Sequence, residues 1–190
     1  MSLKISAIRL DRMRLPLDPP FSAAWDPLPR RWFDATLVRV ETDAGVTGYG
    51  SGDTMDGFEP FAGLFMGTDP LNIASHVRVL ESISFHAGRY WPLEAALWDI
   101  MGKVSGVPAT VLFGGARDRL PAYASFGSAI TPAERAEAAG WTADRRDFFL
   151  ASPVRVSADG YLSVPEAPGL GAEIDELAVA RWAVHREELR

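Results

Sequence analysis

The chain has 190 residues, with 47% hydrophobic and 23% charged residues and a formal net charge of −6, a composition that excludes disorder and fibre and suits one good core or a domain with an appendage. Arginines scattered among acids leave no basic stripe for nucleic acid, and the absence of cysteine excludes a disulfide scaffold or a thiolate metal site. No apolar run approaches the roughly 20 residues of a membrane span and no long leader opens the chain, so a cytoplasmic protein is expected.

In chain order, Lys4 to Leu17 reads as a strand in which Ile8 and Leu10 alternate with polar residues. The apolar set then slips by one to Met13, Leu15 and Leu17, which predicts a bulge or a strand end near Arg12. Pro16, Pro19, Pro20, Pro27 and Pro29 around Phe21 and Trp25 predict a loop rather than regular structure. Phe33 to Thr42 is rich in β-formers, and Asp43-Ala44-Gly45 turns it into a second strand at Val46 to Gly50, making a hairpin. The glycines of Ser51-Gly52-Asp53-Thr54 are no phosphate loop, because no Gly-Lys-Ser/Thr follows. Asp53, Asp56 and Glu59 lack ordered cation-loop spacing and read as a solvated acidic loop.

Asp69-Pro70 predicts the cap and first turn of a helix to about residue 84, bordered by His76 as a packed histidine; His86 and His185 are equally isolated. Leu93, Leu97, Ile100, Met101 and Val104 form the apolar stripe of the main helix over 92–105, with Pro92 in its first turn, Gly106 at its C-terminus and Pro108 blocking continuation. Asp99, inside that helix, reads as a helix-to-loop tether rather than a catalytic acid. Pro121 to Gly127 predicts a strand. Thr131-Pro132-Ala133-Glu134 opens a helix to about Ala139, with short β-like pieces near Val154 and Tyr161. Ile174, Leu177, Ala178 and Trp182 predict a last helix carrying Arg186 and Arg190 near its C-terminal end. Three strands near 4–14, 33–42 and 46–51 and helices near 70–84 and 92–105 predict an α+β domain with one antiparallel sheet.

Two motifs carry a family resemblance. Ala96 to Gly115, A-L-W-D-I-x-G-K-x-x-G-x-P-x-x-x-L-F-G-G, resembles the junction between capping domain and barrel in the mandelate racemase/muconate lactonizing group of the enolase superfamily. Asp159-Gly160-Tyr161 and Pro165 to Gly171 resemble that group's C-terminal signature. The resemblance implies a capping domain with its junction helix over 1–115, a first βα unit over 116–140 and a C-terminal tail over 141–190, an incomplete remnant of a (β/α) barrel. It also implies two loops that face substrate. Phe21, Trp25 and Asp26 would lie on the first, although Phe21 and Trp25 serve equally well to pin that loop to its own domain; Ser51, Asp53 and Thr54 would lie on the second, where many members carry Glu at the place of Ser51.

Intact members of the resembled group use Mg²⁺, held by three carboxylates at barrel strand ends, to stabilise the enolate formed when a proton α to a carboxylate is removed, with a Lys-x-Lys lysine or a histidine as base. A full barrel takes about 250 residues. The chain has two lysines, Lys4 and Lys103, and neither belongs to a Lys-x-Lys pair. The expectation is therefore a truncated member of the dehydratase, racemase and cycloisomerase family, inactive as it stands, with no catalytic residues, no metal ligands and no cofactor of its own, the central barrel being lost near Ala139 to Trp141. The alternative is a non-catalytic self-associating or binding domain that uses the capping-domain fold. A small carboxylate substrate is expected only with a barrel, and Leu97, Met101, Val104 and Val111 to Phe113 predict a homo-oligomer through surface that a barrel would cover.

Overall fold

Residues 3–21, 26–52, 54–84, 89–122 and 147–190 are described by the computed structural model of the chain. Strand β1 (Ile5–Phe21) pairs antiparallel with β2 (Arg30–Thr42), which pairs with β3 (Thr47–Ser51) across the turn at Asp43-Ala44-Gly45, where Gly45 takes a φ of 78°. The three strands share one sheet, as expected of the α+β domain, and a fourth joins them: β6 (Ala183–Leu189) lies antiparallel to β1, giving the order β3-β2-β1-β6.

The apolar phase change in β1 has a different cause from the one predicted. Pairing with β2 holds residue for residue from Ala7 to Pro16, with no bulge at Arg12. Ile8 and Leu10 face one side of the sheet, where the helices pack, and Met13 faces the other, where the C-terminal segment packs. The strand does not slip; both faces are covered. The only irregularity near Arg12 lies on the β6 side, where the register shifts between Arg12 and Met13. The expected proline loop is corrected in its first part, since β1 runs through Pro16, Pro19 and Pro20 to pair Phe21 with Arg30, while Pro27 and Pro29 lie in irregular structure as expected. Beyond Met13 no strand among the described residues pairs on the β6 side, so the missing N–H groups of these prolines cost little there.

After β3 come a 3-10 turn (Glu59–Leu64), helix α1 (Ile73–Ser84) and helix α2 (Trp91–Ser105). Asp69 caps a turn one step before α1, its Oδ1 accepting from the Leu71 N–H at 2.9 Å, so the helix starts three residues later than the Asp-Pro pair predicts. Pro92 sits in the first turn of α2, and Gly106 ends it in the left-handed region with φ 70°. Ile8, Leu10, Val38 and Val40 meet Phe58, Phe65, Tyr90, Leu93, Leu97 and Ile100 in the larger core. Leu97 is thus buried within its own domain and drops out of the predicted sticky stripe.

Contact between β3 and α2 is made by bare backbone. A Cβ at Gly48 would stand 2.1 Å from the Ala96 carbonyl oxygen, and one at Gly50 would stand 2.0 Å from that of Pro92. Only glycine allows so close an approach.

Past α2, a single turn α3 (Ala109–Leu112) leads to β4 (Arg119–Pro121), which pairs with β5 (Tyr161–Ser163) as a two-stranded ladder. The residues near Val154 are not a strand. The rest of the strand predicted to Gly127 and the helix predicted from Thr131 to Ala139 lie outside the described residues. The last helix, α4 (Glu176–Trp182), is capped by Asp175, whose side chain accepts from the Leu177 and Ala178 N–H groups at 3.0 Å each. It stops at Trp182, so Arg186 and Arg190 do not sit at a helix C-terminus: Arg186 is on β6 and Arg190 follows it. The open edge of β1 overrides the helix-forming composition of this segment.

Candidate functional site

The six loop residues singled out from sequence fall into two groups. At the tip of the β1–β2 hairpin, Phe21 pairs with Arg30 across the strands and the Asp26 carboxylate is held by the Arg30 guanidinium. An open cleft there is lined by the single stretch Asp26 to Asp34, with Trp32 half exposed and covered by Arg14, whose guanidinium carbon lies 5.0 Å from the ring centre. At the end of β3, the Ser51 hydroxyl donates to the Thr36 carbonyl at 2.8 Å, and the Thr36 hydroxyl donates to the Thr54 carbonyl at 3.0 Å, so β2 joins Ser51 to Thr54. Trp25 and Asp53 lie outside the described residues. Ser51 stands opposite Leu37 and Phe21 opposite Arg30, so the groups are seven residues apart along β2, roughly 23 Å at about 3.3 Å per residue.

The acidic loop is less solvated than its sequence implies. Glu59 accepts from Arg12 at 2.6 Å, while Asp56 is exposed and 3.9 Å from the same guanidinium; Arg12 also reaches Glu187 on β6 at 3.3 Å. The Tyr90 hydroxyl donates to the Asp56 carbonyl at 3.1 Å, and burial pushes its pKa up, reinforced by Glu59 and Asp56. His76 is buried, with Nε2 donating to the Asp69 carbonyl at 2.9 Å and its ring against Phe65, as a packed histidine should be.

Asp99 is the tether that the sequence implies. Its Oδ2 accepts from the Tyr49 N–H at 2.9 Å and Lys103 Nζ at 2.7 Å, and its Oδ1 accepts from the Leu170 N–H at 2.7 Å. One buried carboxylate therefore joins β3, α2 and the Pro-Gly-Leu-Gly turn of the tail.

A second charged constellation has no counterpart in the sequence motifs. On the sheet face away from α2, Arg39 bonds Asp11 at 2.6 Å and Glu176 of α4 at 2.9 Å, and Arg186 reaches Asp11 at 3.3 Å; Arg9 bridges Glu41 and Glu188 at 3.1 Å each. Arg39 is held well above its ordinary value: burial acts against the charged form, and the bonds to Glu176 and Asp11 outweigh it. The bond from Arg39 holds Glu176 below the usual carboxylate range against partial burial. Burial would raise Glu59, but backbone hydrogen bonding and Arg12 bring it below that range. Carboxylates with depressed folded pKa values contribute stability that is full above their unfolded values and lost as pH falls through the folded ones. Stability should accordingly hold from pH 7 down to the ordinary glutamate value of 4.5 and decline below it. Urea midpoints measured across this range check the prediction, and Glu176→Gln should remove part of the acid dependence.

Magnesium needs several oxygens converging on one point. Among the described residues no group of three or more histidines, aspartates or glutamates could hold a metal ion. The carboxylates that do approach each other are engaged by arginine, as Asp11 is by Arg39 and Arg186 and Glu59 is by Arg12. The described residues therefore do not fit Mg²⁺.

An antiparallel sheet backed by a junction helix, with a glycine-lined helix contact and a Pro-Gly-Leu-Gly turn pinned to that helix, defines an enolase-like capping domain. No protein-family model matches the chain. It is 33% identical over 128 residues to the cis-3-hydroxy-L-proline dehydratase of Roseibium aggregatum, covering 60% of this chain and 35% of that protein. In structure it is similar to a mandelate racemase/muconate lactonizing enzyme from Roseovarius nubinhibens (TM-score 0.60, 30% identity, 72% of this chain and 41% of that one). It is also similar to the L-talarate dehydratase of Polaromonas complexed with Mg and L-glucarate (TM-score 0.53, 26% identity, 63% of this chain and 37% of that one). Over its N-terminal part the chain is similar to enzymes of the mandelate racemase/muconate lactonizing group of the enolase superfamily. The chain spans between about a third and two fifths of the length of these relatives.

Proposed function

We propose that this chain is the capping unit of an acid-sugar dehydratase or racemase scaffold, with the C-terminal tail folded back onto it, and that it performs no proton abstraction by itself. The observation that carries this reading is the engagement of four carboxylates: Asp99 tethers three segments, Asp11 and Glu176 hold the tail to the sheet, and Glu59 serves Arg12. None of these four is free to join a metal site or act as a base. In an intact member a base on a barrel strand would remove a proton α to the carboxylate of a small sugar acid, and bound Mg²⁺ would supply charge stabilisation for the resulting enolate. Phe21, Trp25, Asp26, Ser51, Asp53 and Thr54 would then be the loop residues that approach it. Among the described residues no helix is long and apolar enough to cross a membrane, and the proposal places the protein in the cytoplasm.

A ligand that binds only the folded state at 100 times its dissociation constant stabilises by about 2.7 kcal/mol, a shift readily seen in a melting curve. Millimolar Mg²⁺ should leave the melting temperature unchanged. A rise abolished by chelator would overturn the proposal.

Self-association is the second reading, favoured by apolar side chains at the end of α2 and on α3. Val104, Val111 and Phe113 are 46%, 55% and 61% exposed, beside Trp98, whose ring centre lies 4.7 Å from that of Phe113. Sedimentation at rising concentration should show a dimer or larger species that Phe113→Ser weakens. A compact monomer at high concentration, without binding of a hydrophobic dye, would end this reading.

A further inference from the structure

The C-terminal tail is held in two unlike ways, and the change falls after Leu170. Up to that residue it is fastened to α2 and to the turn that follows it. Leu170 donates to the buried Asp99, the Gly169 N–H donates to the Val107 carbonyl at 3.1 Å, and the Gly169 carbonyl accepts from the Ala109 N–H at 2.7 Å. The two backbones are so close that a Cβ at Gly102 would stand 2.5 Å from the Gly169 Cα.

Beyond Gly171, whose φ is 66°, the contacts change in kind. Helix α4 and strand β6 place one fully buried residue, Val179, with Met13 and Leu37 in a cluster of three buried residues, whereas the helix-facing cluster holds sixteen, both among the described residues. Leu189 is only partly buried against the larger cluster. The other attachments are the partly buried Ile174 and Trp182, backbone bonds at 2.9 Å that join Glu173 to Ala151 and Asp175 to Phe149, a ladder along one edge of β1, and a row of ion pairs: Arg39 with Glu176, Asp11 with Arg186, Arg9 with Glu188 and Arg12 with Glu187. Two of these pairs are wet on the tail side, the Glu176 and Arg186 side chains being 60% and 52% exposed, while Glu187 and Glu188 are part-buried at 27% and 32%. Water and counterions replace such pairs at little cost, and opening leaves no charge buried, because Asp11 keeps Arg39.

Elements held by few buried contacts open below the free energy of global unfolding. We propose that residues 172–189 form a strap that opens from β1 as a separate unit, with ionic strength setting the equilibrium, while the β1-β2-β3 sheet and its helices stay folded. Opening pivots on the pinned Gly169-Leu170 turn and uncovers the edge of β1 together with the Met13 and Leu37 face. The inference stands apart from the catalytic reading, since it concerns only how the tail is held.

Native-state hydrogen exchange of the full chain tests it, in about 0.05 M and about 1 M NaCl, conditions that span a Debye length from over 10 Å to about 3 Å. Amides of β6 should exchange at least tenfold faster at the higher salt, with those of α2 and the β2–β3 ladder changing less than twofold. Glu176→Gln at low salt should reproduce the acceleration in β6 alone. Equal rates in β6 and α2 at both salt concentrations, β6 rates unmoved by salt and by the variant, or a Glu176→Gln effect spread evenly over the chain would each overturn the proposal.

Discussion

Asp99→Ala should lose roughly 3–5 kcal/mol of stability, the range for removing one partner of a buried charge pair. The carboxylate is 2% exposed and accepts from two backbone N–H groups on different elements as well as from Lys103. Alanine leaves both N–H groups without an acceptor and an ammonium without its counter-ion, while the Lys103 bond to the Thr47 carbonyl at 2.8 Å remains. Asp99→Asn keeps the shape and part of the acceptor capacity, so its loss should be smaller. Urea unfolding at neutral pH measures both variants. A change below about 1 kcal/mol for alanine would mean that the tether is dispensable.

Gly50→Val should cost about 3 kcal/mol, at the upper end of ordinary overpacking. The new Cβ alone would stand 2.0 Å from the Pro92 carbonyl oxygen and 3.0 Å from the Ala96 nitrogen, both backbone atoms that cannot swing aside as a side chain can. The helix must move off β3, and the Tyr49 bond to Asp99 goes with it. Gly63→Ala is the matched control: a Cβ there meets nothing within 4 Å, and the change should stay within about 0.5 kcal/mol. Thermal melts of the two variants side by side separate overpacking from a general cost of replacing glycine.

Much of the capping fold is legible in the sequence because local rules and tertiary demands agree. The hairpin turn at Gly45, the stop of α2 at Gly106 and the role of Asp99 follow from φ preferences, periodicity and the cost of burying a carboxylate. The end of the chain is not legible in this way. Residues 183–189 carry helix-forming glutamates and an arginine, and their extended form depends on the free edge of β1, which is 170 or more residues away in sequence. The same dependence hides the Arg39, Asp11 and Arg186 cluster, since only the strand register brings these charges together. The shift from Leu10 to Met13 misleads for a related reason: alternation reports which face is covered, and a strand covered on both faces mimics a slip. The candidate site divides likewise. The residue types on the two loops are visible in the sequence, but their separation along β2 and the engagement of Ser51 with Thr36 belong to the fold.

The central claim is that the chain as it stands does not abstract a proton α to a carboxylate. Incubation with Mg²⁺ and sugar acids such as galactonate, talarate and galactarate in D₂O, followed by NMR of the α position, tests it most directly. The account predicts no deuterium uptake above the protein-free control, with Mg²⁺ or without. Uptake that requires Mg²⁺ and stops on chelation would contradict it.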